Sequence, residues 1–215
     1  MSTAYFDIAF TPAVQAMQTA MGSRLGYARL DNARPKVDGA TLSKSAPLSD
    51  SLTAREAQFI EARDGFYQAT VSETGWPYVQ YRGGSKGFLK VLDAQTLAYA
   101  DFRGNTQYIS VGNELSNDEL AIFLMDFAQQ QRLKIFGRVR VVAANDDPDL
   151  MSRLSTPGYP ARIERALVID VQAFDWNCPP HITPRYTAAE YAQANNAQAN
   201  NALAQARGSE RRHEG

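Results

Sequence analysis

FYQATVSETGWPYVQYRGGSKGFLKVLDAQTLAYADFRGNTQYISVGNELSNDELAIFLMDFAQQQRLKIFGRVRVV, residues 66–142, decides the fold. Its apolar residues recur mostly every second position, the period of a strand lying on a core. The alternation is cleanest in RLKIFGRVRVV (132–142): Leu133, Ile135, Gly137, Val139 and Val141 face one way. Arg132, Lys134, Phe136, Arg138 and Arg140 face the other. In FYQATVS (66–72), Tyr67, Ala69 and Val71 share a face, and in VQYR (79–82) Val79 and Tyr81 oppose Gln80 and Arg82. GFLKVLD and TLAYAD are joined across Ala94-Gln95 as a tight hairpin. ELAIFLMDF (119–127) is a continuous apolar run, expected to be buried on both faces.

Working outward, TARE (53–56) is a capping box that starts a helix at Thr53, and Asp64-Gly65 is its expected stop. DDPDLMSRL (146–154) predicts a short helix, Asn105 to Val111 another, and Ala166 to Phe174 a last strand with Leu167, Ile169 and Val171 inward. Pro12 to Met21 carries a weak helical pattern, followed by the loop-like NARPKVDGATLSKSAPLSD (32–50). Strands at this spacing, joined by short turns, predict a mainly β protein with peripheral helices, a six- to seven-stranded antiparallel barrel. The expected division is an extension over residues 1–52, a barrel domain over 53–186, and an Ala/Asn/Gln-rich tail over 187–215. That tail opens with a second capping box, Thr187 to Glu190, and repeats AQANN at 192–196 and 197–201.

Composition narrows the function. Of 215 residues, 44% are hydrophobic and 21% charged, and the formal net charge is −1, so the broad basic surface that nucleic acid requires is not expected. A single cysteine, Cys178, permits no internal disulfide, and with no cationic leader or long apolar run the expectation is a cytoplasmic protein without a membrane partner. Dinucleotide, Walker and zinc-protease motifs are absent from the sequence. Cys178 and His181 have C-x-x-H spacing, but two ligands do not make a zinc site, so no metal is expected.

The chemistry-bearing residues gather at two strand ends. Arg82 precedes Gly83-Gly84, and Arg103-Gly104 precedes Asn105, Thr106 and Gln107 at an expected helix start. Guanidinium forks, amides and hydroxyls at a helix N-terminus suit a small anion such as a phosphate. Either arginine taken alone reads rather as a solvated surface cation; the pair, each beside glycine at a strand end, balances the two readings.

Residues 53–176, above all RGGSKGFLKVLD, FRGNTQYISVGN and RLKIFGRVRVV, resemble the pyridoxamine 5'-phosphate oxidase-like, FMN-binding split-barrel family, in a branch apart from the vitamin B6 oxidase itself. The resemblance implies a homodimeric FMN-binding oxidoreductase, exchanging a hydride or electrons with a reduced nicotinamide or other small-molecule substrate. The alternative it leaves is a non-catalytic carrier of flavin, deazaflavin or haem. It also implies that PYVQYR, with Val79, Gln80 and Arg82, runs along the cofactor, with Arg82 where the family usually has lysine. Ala100-Asp101 then ends the next strand pair. Asn105-Thr106 stands where the family has a basic phosphate-binding pair, a departure that Arg103 is expected to offset. Arg132 matches a glutamine at the flavin's pyrimidine edge. Trp176, His181 and Arg185 fall in a segment that covers the neighbouring subunit's flavin in such dimers, although Trp176 reads equally as core packing.

Overall fold

The computed structural model describes residues 3–32, 50–177, 180–193 and 195–196. They fall into two compact units, one drawn from Met1–Met125 and Arg132–Asn177, the other from Asp126–Gln131 and Cys178–Gly215. The first holds one antiparallel sheet. Its strands are β1 (Gly65–Val71), β2 (Pro77–Gly83), β3 (Lys90–Val91), β4 (Thr96–Phe102), β5 (Glu119–Asp126), β6 (Gln131–Ala143) and β7 (Ile163–Asn177), in the order β2-β1-β5-β6-β7-β4-β3. The sheet is not closed: β2 and β3 are its edges.

The two ends of that sheet nevertheless meet through side chains. Phe66 of β1 lies 5.3 Å from Tyr99 of β4, edge-on, and stacks at 5.5 Å on Phe88, which precedes β3. The sheet therefore curls around a core of Leu97, Ile122, Leu124, Leu133, Ile135 and Leu167, all buried, and leaves a split between β2 and β4. That is the antiparallel barrel expected from the alternation, split as the family resemblance implied.

The alternation of β6 holds as read, with Leu133, Ile135 and Val139 buried and Arg138 and Arg140 exposed. Halfway along, the β6–β7 register shifts between Phe136 and Gly137. A Cβ on Gly137 would lie 2.5 Å from Ile169 Cγ2 and 3.3 Å from the Asp170 carbonyl oxygen, so this bulge requires glycine. Gly137→Val is expected to cost about 1–3 kcal/mol by overpacking, read as a lower urea midpoint. An unchanged midpoint would show that the bulge can open.

β5 corrects one expectation. Leu120, Ile122 and Leu124 are buried, but Ala121, Phe123 and Met125 are only partly so. The outer face of this half of the sheet is apolar and bare: Tyr67, Val71, Val79 and Tyr81 are 43%, 37%, 61% and 57% exposed. On the other half α1 (Thr3–Ala9) covers the outer face, with Tyr5 stacked on Phe136 and its hydroxyl accepting from Lys134 Nζ at 2.6 Å.

Helix α2 (Pro12–Ala20) lies where the pattern predicted it, while α1 and α3 (Arg24–Asn32) are additional to the sequence expectation. Helix α4 (Ala54–Glu61) begins at the predicted capping box, where Glu56 accepts from the Thr53 amide and hydroxyl. It stops at Ala62, three residues short of Gly65, which opens β1 instead. Helix α6 (Pro148–Leu154) is capped by Asp147, which accepts from the Leu150 amide at 2.9 Å. In the second unit the Thr187 amide donates to Glu190 Oε2 at 2.8 Å and the Thr187 hydroxyl accepts from the Glu190 amide at 3.2 Å, as its capping box predicted. Most of the AQANN repeat lies outside the described residues.

Candidate anion site in the split of the barrel

β1 and β2 turn their polar residues inward because a polar helix fills the split. Helix α5 spans Ile109–Ser116, and Ser110, Asn113 and Glu114, spaced three and four apart, share one face of it. The Ser110 hydroxyl donates to Gln80 Oε1 at 2.9 Å, and Asn113 Nδ2 donates to Thr70 Oγ1 at 3.0 Å. Gln68 Nε2 donates to Glu114 Oε1, while Gln68 Oε1 accepts from the Tyr99 hydroxyl at 2.6 Å. Gln68 and Thr70 are fully buried, so these bonds replace the water both side chains give up.

Arg82 and Asp101 staple the split. Arg82 Nη1 donates to Asp101 Oδ1 at 2.7 Å, with side-chain exposures of 16% and 7%. Behind Asp101 stands Arg165, whose Nε is 3.7 Å from Oδ2. Arg165 pairs opposite Asp101 in the β4–β7 register, and its Nη2 donates to Glu164 at 2.8 Å. Burial pushes the Asp101 carboxyl above its ordinary value, against the pull of Arg82 and Arg165.

A cavity of about 270 Å³ opens at this seam. Tyr78, Gln80 and Arg82 form one wall, Asp101 and Phe102 another, and residues 104–111 the third. The helix expected from Asn105 begins instead at Ile109, because Thr106 and Tyr108 adopt left-handed backbone, φ 63° and 53°. A threonine held at positive φ stores strain, a condition that concentrates at binding sites. No side chain caps α5, whose first residues line the cavity. Arg82 Nε is buried without a hydrogen-bond partner.

Of the residues singled out in the sequence, Gln80, Arg82, Asp101, Asn105, Thr106 and Gln107 line this cavity together. Ala100 lines a smaller one on the other side of Arg82, with Tyr99 and Phe88. Val79 points to the outer face of β2. Arg103 does not join Arg82: its side chain is 58% exposed, 3.9 Å from Glu164, and it is not among the cavity-lining residues. The second part-buried cation of the cluster is Arg165, which no local motif flags. Arg132, the second residue of β6, pairs with Asn177, likewise off the cavity.

Trp176 packs edge-on against Phe59 at 4.7 Å and donates to Glu56 at 2.7 Å, which is the core-packing alternative. Burial opposes ionisation of Glu56, but bonds from Thr53 and Trp176 outweigh it and hold the carboxyl below its ordinary value. In the second unit His181 is exposed at φ 68°, and Arg185 lies over the Phe127 ring at 4.9 Å. Among the described residues no helix is long and apolar enough to cross a membrane.

No protein-family model matches the chain, and no curated protein matches it. Solved structures do. HupZ of Group A Streptococcus is 15% identical, with a TM-score of 0.45 over 59% of this chain and 99% of that one. A Clostridium acetobutylicum protein related to general stress protein 26 of the pyridoxinephosphate oxidase family is 13% identical, with a TM-score of 0.43 over 60% and 88%. An FMN-binding protein from Syntrophomonas wolfei is 11% identical, with a TM-score of 0.44 over 57% and 83%.

Proposed function

We propose that the chain binds FMN with the phosphate at the start of α5, and that it serves as a flavin-dependent oxidoreductase. The observation that carries this reading is Arg82 Nε, a buried donor without a partner, at a cavity walled by the uncapped start of a helix. A phosphate drawn to the Arg82 guanidinium would accept from it, while the helix amides and the Asn105 and Gln107 side-chain amides offer further donors. Bound there, a flavin would supply hydride or electron acceptance, and the protein's part is binding and orientation.

At about 270 Å³ the cavity falls below the roughly 300–1,000 Å³ of sites that enclose a whole small molecule. It suits the phosphate end of FMN, leaving the ring to be walled from elsewhere. The bare outer face of Tyr67, Val71, Val79 and Tyr81 supports a second copy as the source of that wall.

The test is a flavin titration of purified protein. Saturable quenching of FMN fluorescence, with bleaching of the bound flavin by a reduced nicotinamide, is the expected result. Protein that releases no flavin on denaturation and takes up none on titration overturns the proposal. A cation restored at the family's position localises the phosphate. Thr106 already occupies the left-handed region, so Thr106→Arg adds a charge-assisted contact without new backbone strain. FMN affinity is expected to rise about tenfold or more, and riboflavin affinity to stay unchanged.

A further inference from the structure

We propose that anion binding at the Arg82 cavity is coupled to the uptake of a proton by Glu114, so that this carboxyl sets how tightly the site holds a dianion. The inference rests on the anion-site reading above and extends it to a residue outside the cavity wall.

Glu114 lies on α5 one turn after Ser110, which lines the cavity. Its carboxyl is buried: Oε1 accepts from Gln68, and Oε2 has no hydrogen-bond partner. No cation pairs with it directly among the described residues. Arg82 from β2 and Arg165 from β7 act on it favourably at longer range, and Asp101 from β4 acts against its charge. Tyr99, fully buried, is kept protonated, and Gln68 and Thr70 of β1 carry no charge. α5 itself has no other ionisable side chain. Of the charges that act on it, Arg82 and Arg165 balance Asp101 and an ionised Glu114; with Glu114 protonated the set carries one net positive charge.

An anion entering against Arg82 therefore favours the protonated carboxyl, and by reciprocity the protonated carboxyl favours the anion. Burial, with Asp101 adding to it and Arg82 opposing it, already holds Glu114 at about 7, so both forms are populated near neutral pH.

The experiment measures sulfate, which does not titrate in this range, by its displacement of FMN, and counts protons calorimetrically in buffers of different ionisation enthalpy. A tenfold coupling predicts that the wild-type protein takes up a substantial fraction of a proton per sulfate near pH 7. Its sulfate affinity should fall roughly fivefold from about pH 6 to about pH 8. Glu114→Gln is expected to remove both the uptake and that fall, and to bind sulfate more tightly than wild type at the higher pH. If sulfate binds with no proton uptake by the wild-type protein, or if the variant repeats the wild-type profile, the coupling is refuted while the anion site stands. If FMN binds no better than riboflavin and sulfate does not compete, the anion site itself falls, and the coupling with it. Should the variant fail to fold, the wild-type proton count decides alone.

Discussion

Arg82→Ala is expected to destabilise the protein by about 3–5 kcal/mol near pH 7 and to weaken FMN binding at least tenfold. The stability term follows from what is left behind. Asp101, whose side chain is 7% exposed with Arg82 in place, would keep only Arg165, at 3.7 Å. Stranding one member of a largely buried ion pair costs this much because the remaining charge has lost its shortest contact in a poorly solvated place. The seam adds to the argument: β2 and β4 share no ladder hydrogen bonds, so side chains alone span the split. The binding term follows from losing the one donor already buried and unpartnered at the cavity. Urea unfolding and a flavin titration separate the two. A stability loss below about 1 kcal/mol would mean that the Phe66–Tyr99 contact and the α5 hydrogen bonds close the split without the staple. Because burial already pushes the Asp101 carboxyl up, the variant should regain stability as pH falls and that carboxyl takes a proton.

Much of this architecture could be read before any coordinates. The strand period, the Thr53 and Thr187 capping boxes and the inward face of β6 are local signals, and each holds. The inward face of β1 is another matter. Period two shows that Tyr67, Ala69 and Val71 share a face, but their apolar character points to the core, and the structure puts them outside. Gln68 and Thr70 face inward because Glu114 and Asn113, more than forty residues on, hydrogen-bond to them. No window around β1 contains that information. The start of α5 was misplaced for a related reason. Asn105 to Tyr108 looks like a helical first turn, but the loop holds Thr106 and Tyr108 at positive φ, which propensity would not assign to threonine or tyrosine. Arg165 was missed because its importance lies in register: it matters only once Asp101 stands opposite it. Polar residues on a strand's inner face signal a partner to be found, and here that partner belongs to the candidate site.

Glu114→Gln should make the protein more stable at alkaline pH, against the usual direction of a core substitution. In the wild-type protein the unfolded carboxyl releases its proton near 4.5, and burial holds the folded one at about 7. Between those values the folded state binds more protons than the unfolded state, so stability falls as pH rises through that window. The fall amounts to about 3 kcal/mol, complete somewhat above pH 7. Glutamine keeps an acceptor for Gln68 and carries no charge to desolvate. The variant's curve should therefore lie close to wild type near pH 4.5 and above it by up to about 3 kcal/mol near pH 8. Asp101 also titrates upward in the fold and is coupled to Glu114, so the difference between proteins reports Glu114 together with its effect on Asp101. Urea midpoints measured across that range, with the slope checked for constancy, give the comparison directly. Parallel curves would show that the Glu114 carboxyl is as well solvated in the folded chain as in the unfolded one, and would remove the proton-holding group from the floor of the split.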